Sequence, residues 1–155
     1  MQVVLDANML LRIAKKSDPK HQIAKSAISQ LEAQGAELFT VPQSVYEFWV
    51  VATRPAGAPS NGLGLTTEDA ADVLERLLPR FPVLNDLPSL YDEWRSLVQR
   101  YDVKGKPAHD ARMAAALIGH RATHLLTFNA RDFQRGVDLV GAEFTVLEPD
   151  AVVAS

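Results

Sequence analysis

Two rhythms of apolar and polar positions take turns along this chain. Val3-Val4-Leu5 is a short unbroken apolar run, the pattern of a strand buried on both faces and so of a parallel sheet. Asn8 opens the next helix, and Leu10 to Ala14 reads as a short helix that turns out through Lys15-Lys16-Ser17-Asp18-Pro19. His21 to Gly35 places Ile23, Ala27, Ile28 and Leu31 at helical spacing, and Gly35 suits the C-terminal cap. Glu37 to Val41 is a second short strand. Pro42 then opens a helix, at a position where its missing N–H costs nothing, and the helix runs to about Thr53. Arg54 to Leu65 is rich in Gly and Pro and reads as a loop, not a domain linker.

Thr66-Thr67-Glu68-Asp69 is an N-cap signature for a helix reaching about Leu78. Phe81-Pro82-Val83-Leu84 predicts a short strand, confined to a sheet edge by its proline. Leu87 to Tyr101 is helical, with Leu90, Trp94, Leu97 and Val98 on the inner face. Gly105-Lys106-Pro107 breaks the chain before an Ala-rich helix, Ala108 to His120, able to lie close to a sheet. His124 to Thr127 and Ala142 to Leu147 read as the last strands. Such alternation predicts an α/β fold, a three-layer α/β/α sandwich around a mainly parallel sheet of four to five strands.

With 155 residues, the chain reads as one domain over 1–155, long enough to bury a core without staples. There is no cysteine, hence no disulfide framework, thiolate metal site or thiol nucleophile. Neither a signal peptide nor a membrane span is expected, and the reading is of a soluble, cytoplasmic protein. The net charge of −3 argues against a module that binds nucleic acid through phosphate neutralisation alone. It leaves room for an enzyme that holds phosphate through metal ions, whose empty site is itself acidic.

Four acids stand at equivalent places in this scheme. Asp6 ends the first strand, Glu47 lies on the helix after the second, Asp110 opens the helix 108–120, and Asp132 lies just beyond the strand 124–127. In a parallel sheet all four fall at one edge, outside the carboxyl ends of the strands, where such sheets bind ligands. Each has a bland reading as well: Asp6 or Asn8 as a helix cap, Asp110 as a dipole partner, Asp132 as a cap for the turn after Asn129. Glu47 is harder to dismiss. Its neighbours Val45, Tyr46, Phe48, Trp49, Val50 and Val51 predict a desolvation cost that only a partner or a metal would offset. Clustered carboxylates repel, and a divalent cation removes the conflict. Hard oxygen ligands without Cys, and with His only peripheral, suit Mg²⁺ or Mn²⁺ better than zinc. Such sites commonly run phosphoryl transfer.

Several segments together resemble the PIN domain, and within it the VapC-type ribonuclease toxins of bacterial toxin–antitoxin pairs. They are Val4-Leu5-Asp6-Ala7-Asn8, the stretch from Val41 to Pro55, Asn61-Gly62-Leu63-Gly64, His109 to Ala115, and Leu125 to Phe133. The resemblance implies a metal-dependent endoribonuclease hydrolysing RNA phosphodiester bonds with metal-activated water. It assigns Asp6, Glu47 and Asp110 to metal binding, with Asp6 and Asp110 as direct ligands and Glu47 acting directly or through a water. Asp132 is the fourth acid, although some members carry an acid where this chain has Asn129. Thr127 and Asn129 then orient the water or phosphate, Asn8 supports Asp6, and Ser44 joins the same group. The resemblance also implies a homodimer and an antitoxin partner, with Trp49, Phe48 or Leu11 as apolar contact surface.

Arg12, Arg54 and Arg112 flank the acidic edge as RNA-phosphate ligands, with a solvated face as the plain alternative. His109, beside Asp110, is expected to point away from the chemistry. Two other classes remain. One is a module that keeps the fold and binds RNA or antitoxin without catalysis. The other is a phosphatase of the haloacid dehalogenase type, which needs an acid at the position of Asn8 and has no use for Glu47. A phospho-receiver domain would need an acidic pair near the first strand and a late Lys, and neither is evident.

Overall fold

The structure, a computed structural model, describes residues 1–141 and 143–155. Among these residues four strands form one sheet: β1 (Gln2–Leu5), β2 (Glu37–Phe39), β3 (His124–Leu126) and β4 (Thr145–Leu147). Their order is β2-β1-β3-β4, and every pairing is parallel. β1 and β3 are therefore the central strands, with Leu5 opposite Leu126 at their carboxyl ends.

The alternation of a strand sends neighbouring side chains to opposite faces. Val3, Leu5 and Leu126 pack with α1 (Ala7–Ala14), α2 (His21–Ala33), α3 (Pro42–Thr53), α4 (Thr67–Leu77) and α8 (Pro149–Ala154). Val4 and Leu125 pack with α5 (Leu90–Arg100), α6 (Pro107–His120) and α7 (Ala130–Val140). The result is the expected three-layer sandwich. Both faces of β1 are fully buried over Val3, Val4 and Leu5, as this unbroken apolar run requires. The small side chains Ala111, Ala114, Ala115 and Ala116 of α6 are buried against the second face.

Some expectations shift. Phe81–Leu84 is not a strand but a single parallel bridge, Thr40 to Val83, at the β2 edge. The Thr40 amide donates to Pro82 O at 3.0 Å and the Leu84 amide to Thr40 O at 2.8 Å, while Pro82 has no N–H with which to extend the ladder. Helix α1 starts at Ala7, because the Asp6 carboxylate caps it. The expected first residue of the last strand, Ala142, lies outside the described residues. Helices α7 and α8 are additions to the sequence reading. Phe133 and Val137, four apart and buried, anchor α7, and Gly141 ends it with a left-handed backbone.

The loop 54–65 is pinned to the end of α3. The amides of Leu63 and Leu65 donate to Val51 O and Ala52 O, supplying partners for carbonyls that the helix end leaves open. Gly62 is required there, since a Cβ would sit 2.2 Å from Arg54 O.

Candidate active site

The site grows from the two central strands. The Asp6 amide donates to Leu126 O, which sets the residue after β1 beside the residue after β3. The Asp6 carboxylate is buried and saturated with donors. Oδ1 accepts from the Ala7 amide at 2.7 Å, and Oδ2 accepts from Asn8 Nδ2 at 2.9 Å and Thr127 Oγ1 at 2.7 Å. Thr127 Oγ1, wholly buried, in turn accepts from Asn8 Nδ2 and the Asn129 amide. Asn8 Oδ1 takes the Phe128 amide at 3.2 Å. Asn8 and Thr127 thus tie the tips of β1 and β3 together around Asp6. The plain reading of Asp6 as a cap is correct and incomplete.

Burial pushes the Asp6 carboxyl up to about 6, against the lowering effect of Thr127 and the Ala7 amide; Glu47 and Asp110 push it further up. Asp110, half-buried in the first turn of α6, is raised by burial and then by Glu47 and Asp132, with Lys106 and His109 opposing. Asp6 thus feels the charges of Glu47 and Asp110, and Asp110 those of Glu47 and Asp132, although 126 positions separate Asp6 from Asp132. Among the described residues, none of the four belongs to a salt bridge.

A family model for the PIN domain matches residues 3–138. The chain belongs to the PIN domain family. The family is one of nucleases that generally work with a divalent metal. No curated protein matched the sequence. Solved structures do. VapBC-1 from nontypeable Haemophilus influenzae is 17% identical with a TM-score of 0.66, over 97% of this chain and 99% of that one. VapBC2 from Rickettsia felis, solved bound to a DNA fragment from its promoter, is 15% identical with a TM-score of 0.65, over 96% and 98%. VapC20 from Mycobacterium tuberculosis, described as a sarcin–ricin loop cleaving toxin, is 17% identical with a TM-score of 0.60, over 86% and 93%. The fold of this PIN domain is that of the VapC-type toxins along nearly its full length.

Other candidate residues of the PIN domain fall differently from expectation. Glu47 is exposed, not desolvated. The apolar run around it splits by helical period, so Phe48 and Ala52 enter the core while Tyr46 and Val50 face solvent. Phe48 is thus unavailable as contact surface; Trp49 and Leu11 are partly buried. Ser44, one turn before Glu47, is fully buried, and its hydroxyl has no hydrogen-bond partner among the described residues. Asn129 and Asp132 are exposed, and the Asp132 amide donates to Asn129 O at 3.1 Å.

Of the arginines, Arg12 pairs with Asp18, and Arg112 pairs with Asp86 at 2.8 Å. Arg54 is exposed and, among the described residues, makes no ion pair. His109 lines a cleft of about 490 Å³ with Tyr91, Trp94 and Arg112. Sequence reading passed over Gln43, whose amide bonds Glu47 Oε1 at 3.1 Å. Its spacing of four from Glu47 on a helix was the available signal.

The donors suit a hard divalent cation. They are carboxylate and hydroxyl oxygens, the acids repel one another, and among the described residues no salt bridge neutralises them. Among the described residues no three Asp, Glu or His side chains form a ready-made cage.

Proposed function

We propose that this PIN domain is a metal-dependent endoribonuclease and the toxin of a VapBC-type pair, with Mg²⁺ or Mn²⁺ as its ion. The observation that carries the reading is Asp6, buried where β1 and β3 end, and half-buried Asp110, both raised by burial and by neighbouring acids and neither in a salt bridge among the described residues. A bound cation would supply Lewis acidity towards the phosphodiester and ease loss of a proton from water.

The chain's own residues hold that chemistry in place. Asp6 and Asp110 are direct ligands, and Glu47 and Asp132 complete the set. Thr127, Asn8 and the Ala7 amide fix the Asp6 carboxylate in one orientation before any ligand arrives. Ser44 brings an unsatisfied hydroxyl to the turn before Glu47. Asn129, exposed, orients the substrate phosphate or the attacking water, and Thr127, buried, acts on them only through Asp6. Arg54, exposed and outside any ion pair among the described residues, is the arginine best placed to meet RNA phosphate.

Residues 1–155 act as a single nuclease domain in the cytoplasm. None of the described helices is long and apolar enough to cross a membrane. The neighbouring VapBC proteins are solved as toxin–antitoxin complexes, and Tyr46 and Val50 on α3 offer exposed apolar surface beside Glu47 for an antitoxin segment or a second copy of the chain. The alternative is a PIN-fold module that binds RNA or antitoxin without cutting. Incubation with RNA, DNA and a phosphate monoester, each with and without Mg²⁺ or Mn²⁺, separates the readings. RNA cleavage alone, abolished by EDTA, is the expected result; metal binding without cleavage would favour the module. Expression of wild type beside Asp6→Asn gives the cellular counterpart, with growth arrest expected from wild type only.

A further inference from the structure

Arg112 comes within one side chain of Glu47 and does not bond it. Its Nη1 donates to Gln43 Oε1 at 3.1 Å and its Nη2 to Asp86 at 2.8 Å. On the other side of the same amide, Gln43 Nε2 donates to Glu47 Oε1 at 3.1 Å and to His109 O at 3.0 Å. Gln43 is 7% exposed. We propose that Gln43 is a spacer and positioning residue: its carboxamide holds Glu47 with a neutral donor and keeps the Arg112 guanidinium from pairing with that acid. The inference rests on reading Glu47 as one of the metal-binding acids.

The orientation of the amide is determined from both ends. A guanidinium has only donors, so Arg112 selects the carbonyl end of Gln43. The amino end must then face Glu47 and His109 O, both acceptors. A flipped amide would set a carbonyl against two oxygens and an amino group against a cation. Both amide protons and the carbonyl are used as the fold stands. Asp86 completes the arrangement by giving the guanidinium charge a partner away from the site.

The spacer has a chemical purpose. An arginine–carboxylate fork is among the strongest pairs a protein makes, and it neutralises the acid. A Glu47 bound in that way would compete poorly for a divalent cation. A Gln four residues earlier on α3 steadies the carboxylate while leaving its charge intact.

The test uses the full chain with Gln43→Ala, Arg112→Met and the double variant. Mn²⁺ affinity is read by calorimetry, and the Arg112–Glu47 distance by crystallography. Removing the amide lets Arg112 reach Glu47, so Gln43→Ala should weaken Mn²⁺ binding by roughly tenfold to a hundredfold, the range for a hydrogen bond to a charged group. The double variant should regain most of that loss, because the quenching charge has gone. A residue that served packing alone would leave the double variant weaker than the single. Such a result, or a Gln43→Ala structure with Arg112 still on Asp86 only, overturns the proposal. If wild type binds no Mn²⁺, the metal reading of the site fails, and the crystal structures alone decide whether Gln43 is a spacer. Gln43→Ser repeats the comparison should the alanine variant fail to fold.

Discussion

Thr127 Oγ1 donates to Asp6 Oδ2 at 2.7 Å, across 121 positions of sequence. The contact exists because β1 and β3 are central, parallel and in register, so both residues leave the sheet at one point. The connections from β1 and β3 diverge there, the place where an open parallel sheet opens a crevice. One hydroxyl thereby orients the acid on which the proposed chemistry depends, and it opposes part of the rise in pKa that burial imposes.

Thr127→Val should therefore do two things at once. It removes the donor to Asp6 and the acceptor for Asn8 and the Asn129 amide, at a site with no water access. Loss of about 1–3 kcal/mol of stability is expected, measured by urea unfolding. The acid limb of the cleavage profile should also move to higher pH, since a lowering influence on Asp6 is gone. Thr127→Ser, which keeps the hydroxyl, should restore both.

The pH dependence of stability follows from Asp6 itself. Its carboxyl titrates near 6 when folded, against 3.8 for the ordinary group. Between those values the folded chain holds the proton that the unfolded chain has released. Stability contributed by this group is complete below about pH 4 and falls as pH rises through 6, by about 3 kcal/mol in all. Asp110, also raised, adds to the same trend. Asp6→Asn keeps the helix cap and has no charge to bury, so its metal-free stability should lack most of this fall in thermal melts from pH 4 to 7. Added Mn²⁺ should stabilise wild type more at pH 7 than at pH 5, where protons compete for the same oxygens.

The strand ends were legible because burial on both faces writes an unbroken apolar run, as in Val3-Val4-Leu5, and an acid directly after such a run has few places to go. The edge bridge at Val83 and helix α7 were less legible. Pro82 limits pairing to one residue, which no period can show, and among the described side chains of α7 only Phe133 and Val137 are buried. Glu47 shows the opposite fault. Apolar neighbours in sequence suggested burial, but on a helix adjacent residues lie about 100° apart, so Phe48 turns to the core while Tyr46, Glu47 and Val50 face solvent. The relay through Gln43 depends on α3 and α6 meeting, and nothing local in either segment announces that.

Because Glu47 and Asp132 are exposed, their loss should separate function from folding. Glu47→Gln and Asp132→Asn should each leave stability within about 0.5 kcal/mol of wild type, as surface substitutions do. Each should nevertheless lower Mn²⁺-dependent RNA cleavage by at least roughly tenfold, the factor for about 1.4 kcal/mol of lost interaction. Parallel melts and cleavage rates check this. Full activity in Asp132→Asn with loss in Asn129→Ala would hand the fourth position to Asn129.

The arginines give the last prediction. A phosphate contact contributes to the salt dependence of RNA binding, with one neutralised phosphate changing the slope of log affinity against log salt by about 0.7 on a single strand. Arg54 is exposed at the end of α3 and makes no ion pair among the described residues, so its guanidinium can meet phosphate without first leaving an acid. Arg12 is committed to Asp18, and moving it to RNA would strand that carboxylate. Binding of a catalytically silent Asp6→Asn background to single-stranded RNA, measured by fluorescence anisotropy across a salt series, should show a shallower slope with Arg54→Ala. Arg12→Ala should leave the slope unchanged. Equal slopes for both would remove Arg54 from the RNA path.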